Sequence, residues 1–279
     1  MNGQRHTKVQ SIDRAVQILR CFDAANPELG ISDLARRTGL STSTVHRLLG
    51  SMLENDLIRQ SLDRRYALGP LVVQLATGGA LAGTLRSAAR PHAQWLRDET
   101  NETVGVHEHI PGGRRVVIDQ VESRQELRRT YTEFGSPIRI VHGAPGKAIL
   151  AFLPGPEQER YLAEPIESAT PRTITDPDAL RADLARTRGR GFAYSDAERT
   201  PGIRSLAAPI FDVSGSVLGS IGVSVPALRV PDERVEELGL LCRDAARSVS
   251  EALGATGETI AQALARAEAP DATGGPNGR

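Results

Sequence analysis

Lysine is nearly absent from this chain: Lys8 and Lys147 are the only two, and arginine supplies every other side-chain cation. With the abundance of Ala, Gly and Pro, this is a coding bias that says little about function. Cysteine is equally scarce. Cys21 and Cys242 lie far apart on apolar helical stripes, so a disulfide scaffold is excluded and both are expected as buried small hydrophobes in a reducing compartment. No apolar run is long enough to cross a membrane, and no secretory leader opens the chain, so a cytoplasmic location and no membrane partner are expected. The formal net charge is zero, which excludes a chain coated in positive charge. Residues 1–70 nevertheless contain ten Lys or Arg against seven Asp or Glu, leaving the remainder acidic. That asymmetry fits a nucleic-acid-binding head on a neutral to acidic body.

The most informative stretch is Ile31 to Leu68. Ile31, Leu34 and Ala35 share one face of a short helix, Gly39 can end it in the left-handed conformation, and Ser41 or Thr42 can cap the next. Val45, Leu48, Leu49, Met52 and Leu53 then recur at helical spacing and face inward. This turns Ser43, Thr44, His46, Arg47 and Ser51 outward: short donors and acceptors beside a long cation, suited to bases and phosphates in a major groove. Leu57 and Ile58, a polar turn, and Tyr66 to Leu68 read as a hairpin with Arg64 and Arg65 at its tip. A helix-turn-helix followed by a hairpin is a winged helix. Ser11 to Ala24 supplies a preceding helix, with Ile12, Ala15, Val16, Leu19 and Phe22 on one stripe.

Gly69-Pro70 resets the chain. Residues 70–89 are expected to form a linker helix whose Leu71, Val72, Leu75, Leu81 and Leu85 would be covered by a second copy, giving a homodimer. A second domain is expected over residues 90–256. Strands at Thr103–Ile110 and Arg115–Val121 pair as a hairpin, a third lies near Ser136 to Val141, and Leu206–Phe211 pairs with Val217–Val225. Helices are expected at 144–152 and 178–188 and, closing the domain, at 233–253. The reading is an α+β domain with helices packed on an antiparallel sheet, followed by a disordered tail over 257–279.

Candidate chemistry in this domain is sparse. His142-Gly143-Ala144-Pro145-Gly146-Lys147-Ala148 resembles a phosphate-binding loop, but Val141 and Ala148 stand where glycine and a hydroxyl residue are required. Its glycines before a helix can still offer backbone N–H groups to an anion, a carboxylate included; the alternative is a loop needed only for packing. His107 and His109 share a strand face, but no cysteine or carboxylate pattern joins them. Half-exposed strand residues explain them, and no metal or other cofactor is expected. Ser195, Asp196 and Ser205 could line a pocket. There is no nucleophile elbow, so an enzyme is disfavoured and no catalytic residue is assigned.

Taken together, SIDRAVQILRCF, ISDLARRTGLSTSTVHRLLGSMLENDLI and RRYALGP in the head, with GSPIRIVHGAPGKAILAFLP, GRGFAYSDAERTPGIRSLAAPIFD and GSVLGSIGVSVP in the body, resemble the IclR-type transcriptional regulators of bacteria. The resemblance spans roughly residues 9–254. It implies a winged helix-turn-helix over 9–69, a linker helix and a GAF-like domain that binds a small effector, often an organic acid. It also implies dimers or dimers of dimers, palindromic double-stranded operator DNA and control of a catabolic operon, usually by repression and sometimes by activation. Carried over by position, Ser43, Thr44, His46 and Arg47 would meet DNA. Gly143 and Ala144 would offer donors to the effector carboxylate, and Ser195 or Asp196, Ser205 and Ser224 would surround it, with Leu127, Arg128 and Arg129 as a lid. Position 205 is often cysteine in the family, and the position of Gly222 is often serine. Both departures are expected to alter the polar lining. The rival is a metabolite-binding protein or enzyme whose helical head makes only protein contacts.

Overall fold

The computed structural model describes residues 9–23, 25–77, 84–131 and 133–266, and the chain divides into two compact units between Ala82 and Gly83. In the first, α1 (Gln10–Leu19), α2 (Ile31–Thr38) and α3 (Thr42–Glu54) pack around Ile18, Leu34, Val45, Leu49 and Met52. Gly39 ends α2 in the left-handed conformation at φ 69°, and Ser41 caps α3 by accepting from the Thr44 backbone N–H at 3.3 Å. The strands β1 (Ile58–Gln60) and β2 (Tyr66–Leu68) pair antiparallel as the expected wing, and α4 (Pro70–Thr77) follows.

In the second unit α5 (Leu85–Thr100) leads into β3 (Thr103–Ile110), β4 (Arg114–Val121) and β5 (Ile138–Arg139). Then come α6 (Gly143–Leu150), α7 (Gly155–Leu162), α8 (Pro177–Arg190), β6 (Ala193–Asp196), β7 (Ile203–Phe211) and β8 (Val217–Pro226), with α9 (Arg234–Ala252) and α10 (Gly257–Arg266) closing the unit. The strands form one antiparallel sheet in the order β5-β4-β3-β8-β7-β6. Alternation divides its two faces. Val104, Val106, Leu206, Ala208, Ile221, Val223 and Val225 pack against α5 and α9. On the other face Ala193 and Ala207 meet Ala144 and Ala148 of α6, a seam of small residues that lets the helix lie close to the sheet.

Three expectations require correction. The segment 85–89 is not linker: Leu85, only 5% exposed, and Ala89 are buried in the second unit's core, and α5 continues through Pro91 to Thr100. Proline lacks one helical N–H, but the packing of Leu85, Ala89, Ala93 and Leu96 on one stripe outweighs that loss. Leu81 lies outside the described residues. The tail is ordered through Arg266 because Ile260, Ala263 and Leu264 recur at helical spacing and pack beside Phe211 and Val217, while Thr256 caps the helix by accepting from the Thr259 N–H. The rest of the expected tail, 267–279, also lies outside the described residues. Finally, α7 was not foreseen; it is anchored by Tyr161 and Leu162 in the same cluster.

Candidate functional site

The head presents α3 as a two-faced helix. Val45, Leu49 and Met52 are buried, whereas Ser43, His46, Arg47 and Ser51 are exposed and Thr44 is half-buried. Ser41 Oγ lies 2.9 Å from Thr44 Oγ1 and 3.1 Å from Ser43 Oγ, so the cap also engages the first hydroxyls of that face. Among the described residues Arg47 makes no ion pair, leaving its charge available to an outside partner. At the wing, Arg64 stands exposed in the left-handed region at φ 60°. Arg65 differs from the expectation for the tip, because its guanidinium folds back to the Glu28 carbonyl at 2.8 Å.

In the second unit the sheet face toward α6 is polar beneath the helix N-terminus. Ser195 on β6 is opposite Ser205 on β7, which is opposite Ser224 on β8, so three hydroxyls lie side by side across adjacent strands. These serines, Gly143 and Pro145 line a cavity of about 30 Å³ whose wall also includes Arg115, Arg129, Tyr131, Arg199, Thr200 and Ile203. The cavity is small, so a bulky ligand enters only as side chains give way. Gly143 begins α6 at φ 71°, a conformation that favours glycine, and His142 before it supplies no side-chain cap. The first N–H groups of α6 are therefore left to bind something else.

Of the sequence-derived candidates, Gly143, Ser195, Ser205 and Ser224 meet at this cavity, whereas Ala144 and Asp196 do not line it. Ala144 is used in the alanine seam. Asp196 alternates with Ser195, and its carboxylate pairs with Arg172 and, at 3.2 Å, with Arg204. Of the proposed lid residues only Arg129 reaches the cavity, while Leu127 is exposed and Arg128 pairs with Glu122 at 2.9 Å. Gly222 does not line the cavity, and a Cβ there would lie 2.0 Å from the Leu206 carbonyl oxygen, so close strand packing rather than pocket chemistry demands glycine.

The residue that sequence reasoning missed is Arg115. It is 2% exposed, its Nη1 donates to His107 Nδ1 at 2.8 Å, and its Nη2 reaches the His142 carbonyl at 3.5 Å. Among the described residues its Nε has no partner and no carboxylate pairs with it. Burial, and then the nearby Arg199, bring its pKa down to about 10, so it remains a cation at neutral pH. On β4 Arg115 shares its face with Val117, but the register shift at Val106/His107 turns Val121 to the α5 and α9 face, so alternation along the strand did not reveal it. His107, expected half-exposed, is fully buried. Burial first, then Arg115 and Arg199, hold its imidazole well below the usual range. Tyr131, also unforeseen, closes one side with its hydroxyl 2.5 Å from Ser224 Oγ.

Beneath the site, Lys147 of α6 is wholly buried, with Nζ 2.6 Å from Asp183 of α8, 2.6 Å from Glu198 and 2.7 Å from the Tyr194 carbonyl oxygen. Burial raises both carboxyls. Lys147 and Arg186 more than offset this at Asp183, which is held low, but the offset at Glu198 is incomplete and its carboxyl stays above the usual range. Thr170 donates to the Ala197 carbonyl oxygen at 2.7 Å and Thr173 to that of Glu198 at 2.7 Å. The turn carrying Arg199 is thereby fixed to the helix that offers its N-terminus. Among the described residues no cluster of His, Cys, Asp or Glu has the arrangement of a metal site, and no helix is long and apolar enough to cross a membrane.

Comparison with known proteins gives consistent matches. The model of the IclR helix-turn-helix domain matches residues 11–62, and that of the bacterial transcriptional regulator IclR C-terminal domain matches residues 82–251. The chain is 31% identical over 256 residues to the transcriptional repressor IclR of Escherichia coli K12, covering 88% of this chain and 91% of that one. It is 32% identical to the HTH-type transcriptional regulator BhcR of Paracoccus denitrificans, covering 87% and 86%. The crystal structure of the Thermotoga maritima IclR superposes with a TM-score of 0.74 at 27% identity, covering 88% of this chain and 100% of that one.

Proposed function

Because the chain belongs to the IclR family of bacterial transcriptional regulators, and is thus a DNA-binding regulator rather than an enzyme, we propose that it represses a catabolic operon and releases its operator when a small organic acid binds the second unit. The observation that carries the effector assignment is Arg115, a buried cation without a carboxylate partner among the described residues, beside an uncapped helix N-terminus. Burying a charge without its counter-ion is costly, and an entering carboxylate supplies that counter-ion. Gly143 and Ala144 donate backbone N–H groups to the acid, and Ser195, Ser205 and Ser224 take its remaining polar atoms.

Ser43, Thr44, His46 and Arg47 read the major groove, and Arg64 contacts the adjoining backbone or minor groove. Arg65, tied to Glu28, supports the wing and lends its charge to the same surface. Exposed Leu75 on α4, together with Ile12 and Val16 on α1 and Val9 at its N-cap, supports pairing with a second copy. A homodimer, or a dimer of dimers, then sets two heads on the half-sites of a palindrome about 34 Å apart. Effector binding favours one arrangement of the dimer over the other, and only that difference in affinity changes operator binding. The protein acts in the cytoplasm.

A fluorescence-polarisation titration of the protein against its own upstream DNA, repeated with a panel of carboxylic acids at fixed salt, tests this reading. One acid is expected to weaken saturable binding. Tighter binding with that acid would reverse the sign of regulation, and an acid that binds well yet leaves operator affinity unchanged would refute the coupling.

A further inference from the structure

The cavity wall carries more positive charge than a single carboxylate neutralises. Arg115, Arg129 and Arg199 all line it. Among the described residues the one acidic group paired with any of them is Glu133, whose Oε1 is 2.9 Å from Arg199 Nη2 and whose Oε2 is 3.6 Å from Arg129 Nη2. His107 cannot change the balance: its Nδ1 accepts from Arg115, so the ring is neutral. The serine hydroxyls are neutral as well. Three guanidinium groups facing one carboxylate leave two positive charges unpaired around the cavity.

We propose that the effector is a small dicarboxylate, one end held by Arg115 and the N-terminus of α6 and the other replacing Glu133 on Arg199, while Glu133 stays on Arg129 so that three carboxylates face the three guanidinium groups. This rests on the effector reading above and narrows it to a class of acid. Glu133 is then the site's own carboxylate, holding Arg199 until a ligand carboxylate takes its place. The exchange suits the geometry, because Glu133 and Arg199 are only partly buried and can move, whereas Arg115 is fixed among buried groups. An arginine–carboxylate contact is exchanged for one of the same kind, and a monocarboxylate has no second group with which to make the exchange.

The test compares malonate, succinate and glutarate with their half-amides, which match them closely in size and differ by one charge, using calorimetry on the full-length protein at fixed ionic strength. At one chain length or more the diacid is expected to bind roughly tenfold more tightly than its half-amide. Equal affinities at every length, with the half-amides binding, would overturn the dicarboxylate assignment and leave the carboxylate effector standing. No binding by any of the six, with operator affinity unmoved, would overturn both. The variant Glu133→Gln supplies a second readout. If Glu133 competes with the ligand, the preference for diacid over half-amide widens; equal weakening of both would show that Glu133 only supports the fold and would overturn the exchange.

Discussion

Arg115 Nη1 donates to His107 Nδ1 across 2.8 Å, and since arginine has no acceptor, this contact places the imidazole proton on Nε2. The ring is neutral and fully buried, and among the described residues its Nε2 has no partner. A polar pair of this kind does little for stability. Its use is to aim a cation at the cavity.

Replacing Arg115 with methionine is therefore expected to separate stability from function. The variant loses a buried charge without a counter-ion, so its urea-unfolding free energy without effector should equal or exceed the wild type's, by about 1 kcal/mol. Effector affinity should fall about a hundredfold or more, as a charge-assisted contact and its field are both removed. A strongly destabilised Arg115→Met protein would contradict this account.

The same pair predicts how stability follows pH. The folded pKa of His107 lies well below its ordinary value of 6.5, burial being the first cause. In the unfolded chain the ring takes a proton as pH falls through 6.5, while in the fold it stays neutral. Its contribution is thus present in full above pH 6.5 and is lost as pH falls toward the folded pKa. His109 and His142 are lowered in the same direction, also mainly by burial. Below pH 6.5 the unfolding free energy should decline, and His107→Gln should make the decline shallower by up to about 1.4 kcal/mol per pH unit. Equal slopes in variant and wild type would exclude His107 as a source.

Lys147 has a different role. With Nζ 2.6 Å from both Asp183 and Glu198, it is the cation that makes two buried carboxylates tolerable. Lys147→Met should cost roughly 3–5 kcal/mol in denaturant unfolding, because two acids remain buried without it. Adding Asp183→Asn and Glu198→Gln should recover much of the loss. Failure of the triple variant to recover would mean that the geometry of the network, rather than its charge, holds α6 in place.

What could be read from the sequence follows periodicity. Val45, Leu49 and Met52 recur every three or four residues, so the recognition helix and its outward face were legible, as were Gly39 and Ser41 at the turn. The loop at Gly143, with Ser195 and Ser205, was legible from the residues, the resemblance added Ser224, and the strand register sets the serines in a row. Arg115 was hidden because a register shift breaks the alternation of β4 and because charged residues are rarely expected inside. Tyr131 and Arg199 lie on irregular segments with no period to read, and only tertiary contact brings them to the cavity. The boundary expected between residues 89 and 90 misled in the opposite direction. A local rule placed a boundary where burial of Leu85 and Ala89 continues the helix.

The proposed DNA-binding face gives the last prediction. Arg47 is exposed, pairs with no acid among the described residues, and shares its surface with Ser43 and His46, so its truncation costs the fold almost nothing. Arg47→Ala should leave the unfolding transition within about 0.5 kcal/mol of wild type and leave effector affinity unchanged. Operator binding should weaken in one of two distinguishable ways. If Arg47 contacts phosphate, the slope of log affinity against log salt falls by about one, and all DNA sequences are affected alike. If it reads a base edge, one operator position loses about 1–3 kcal/mol of discrimination while the salt slope changes less. Operator binding that survives the substitution in affinity, slope and sequence preference would mean that α3 does not meet DNA through this face.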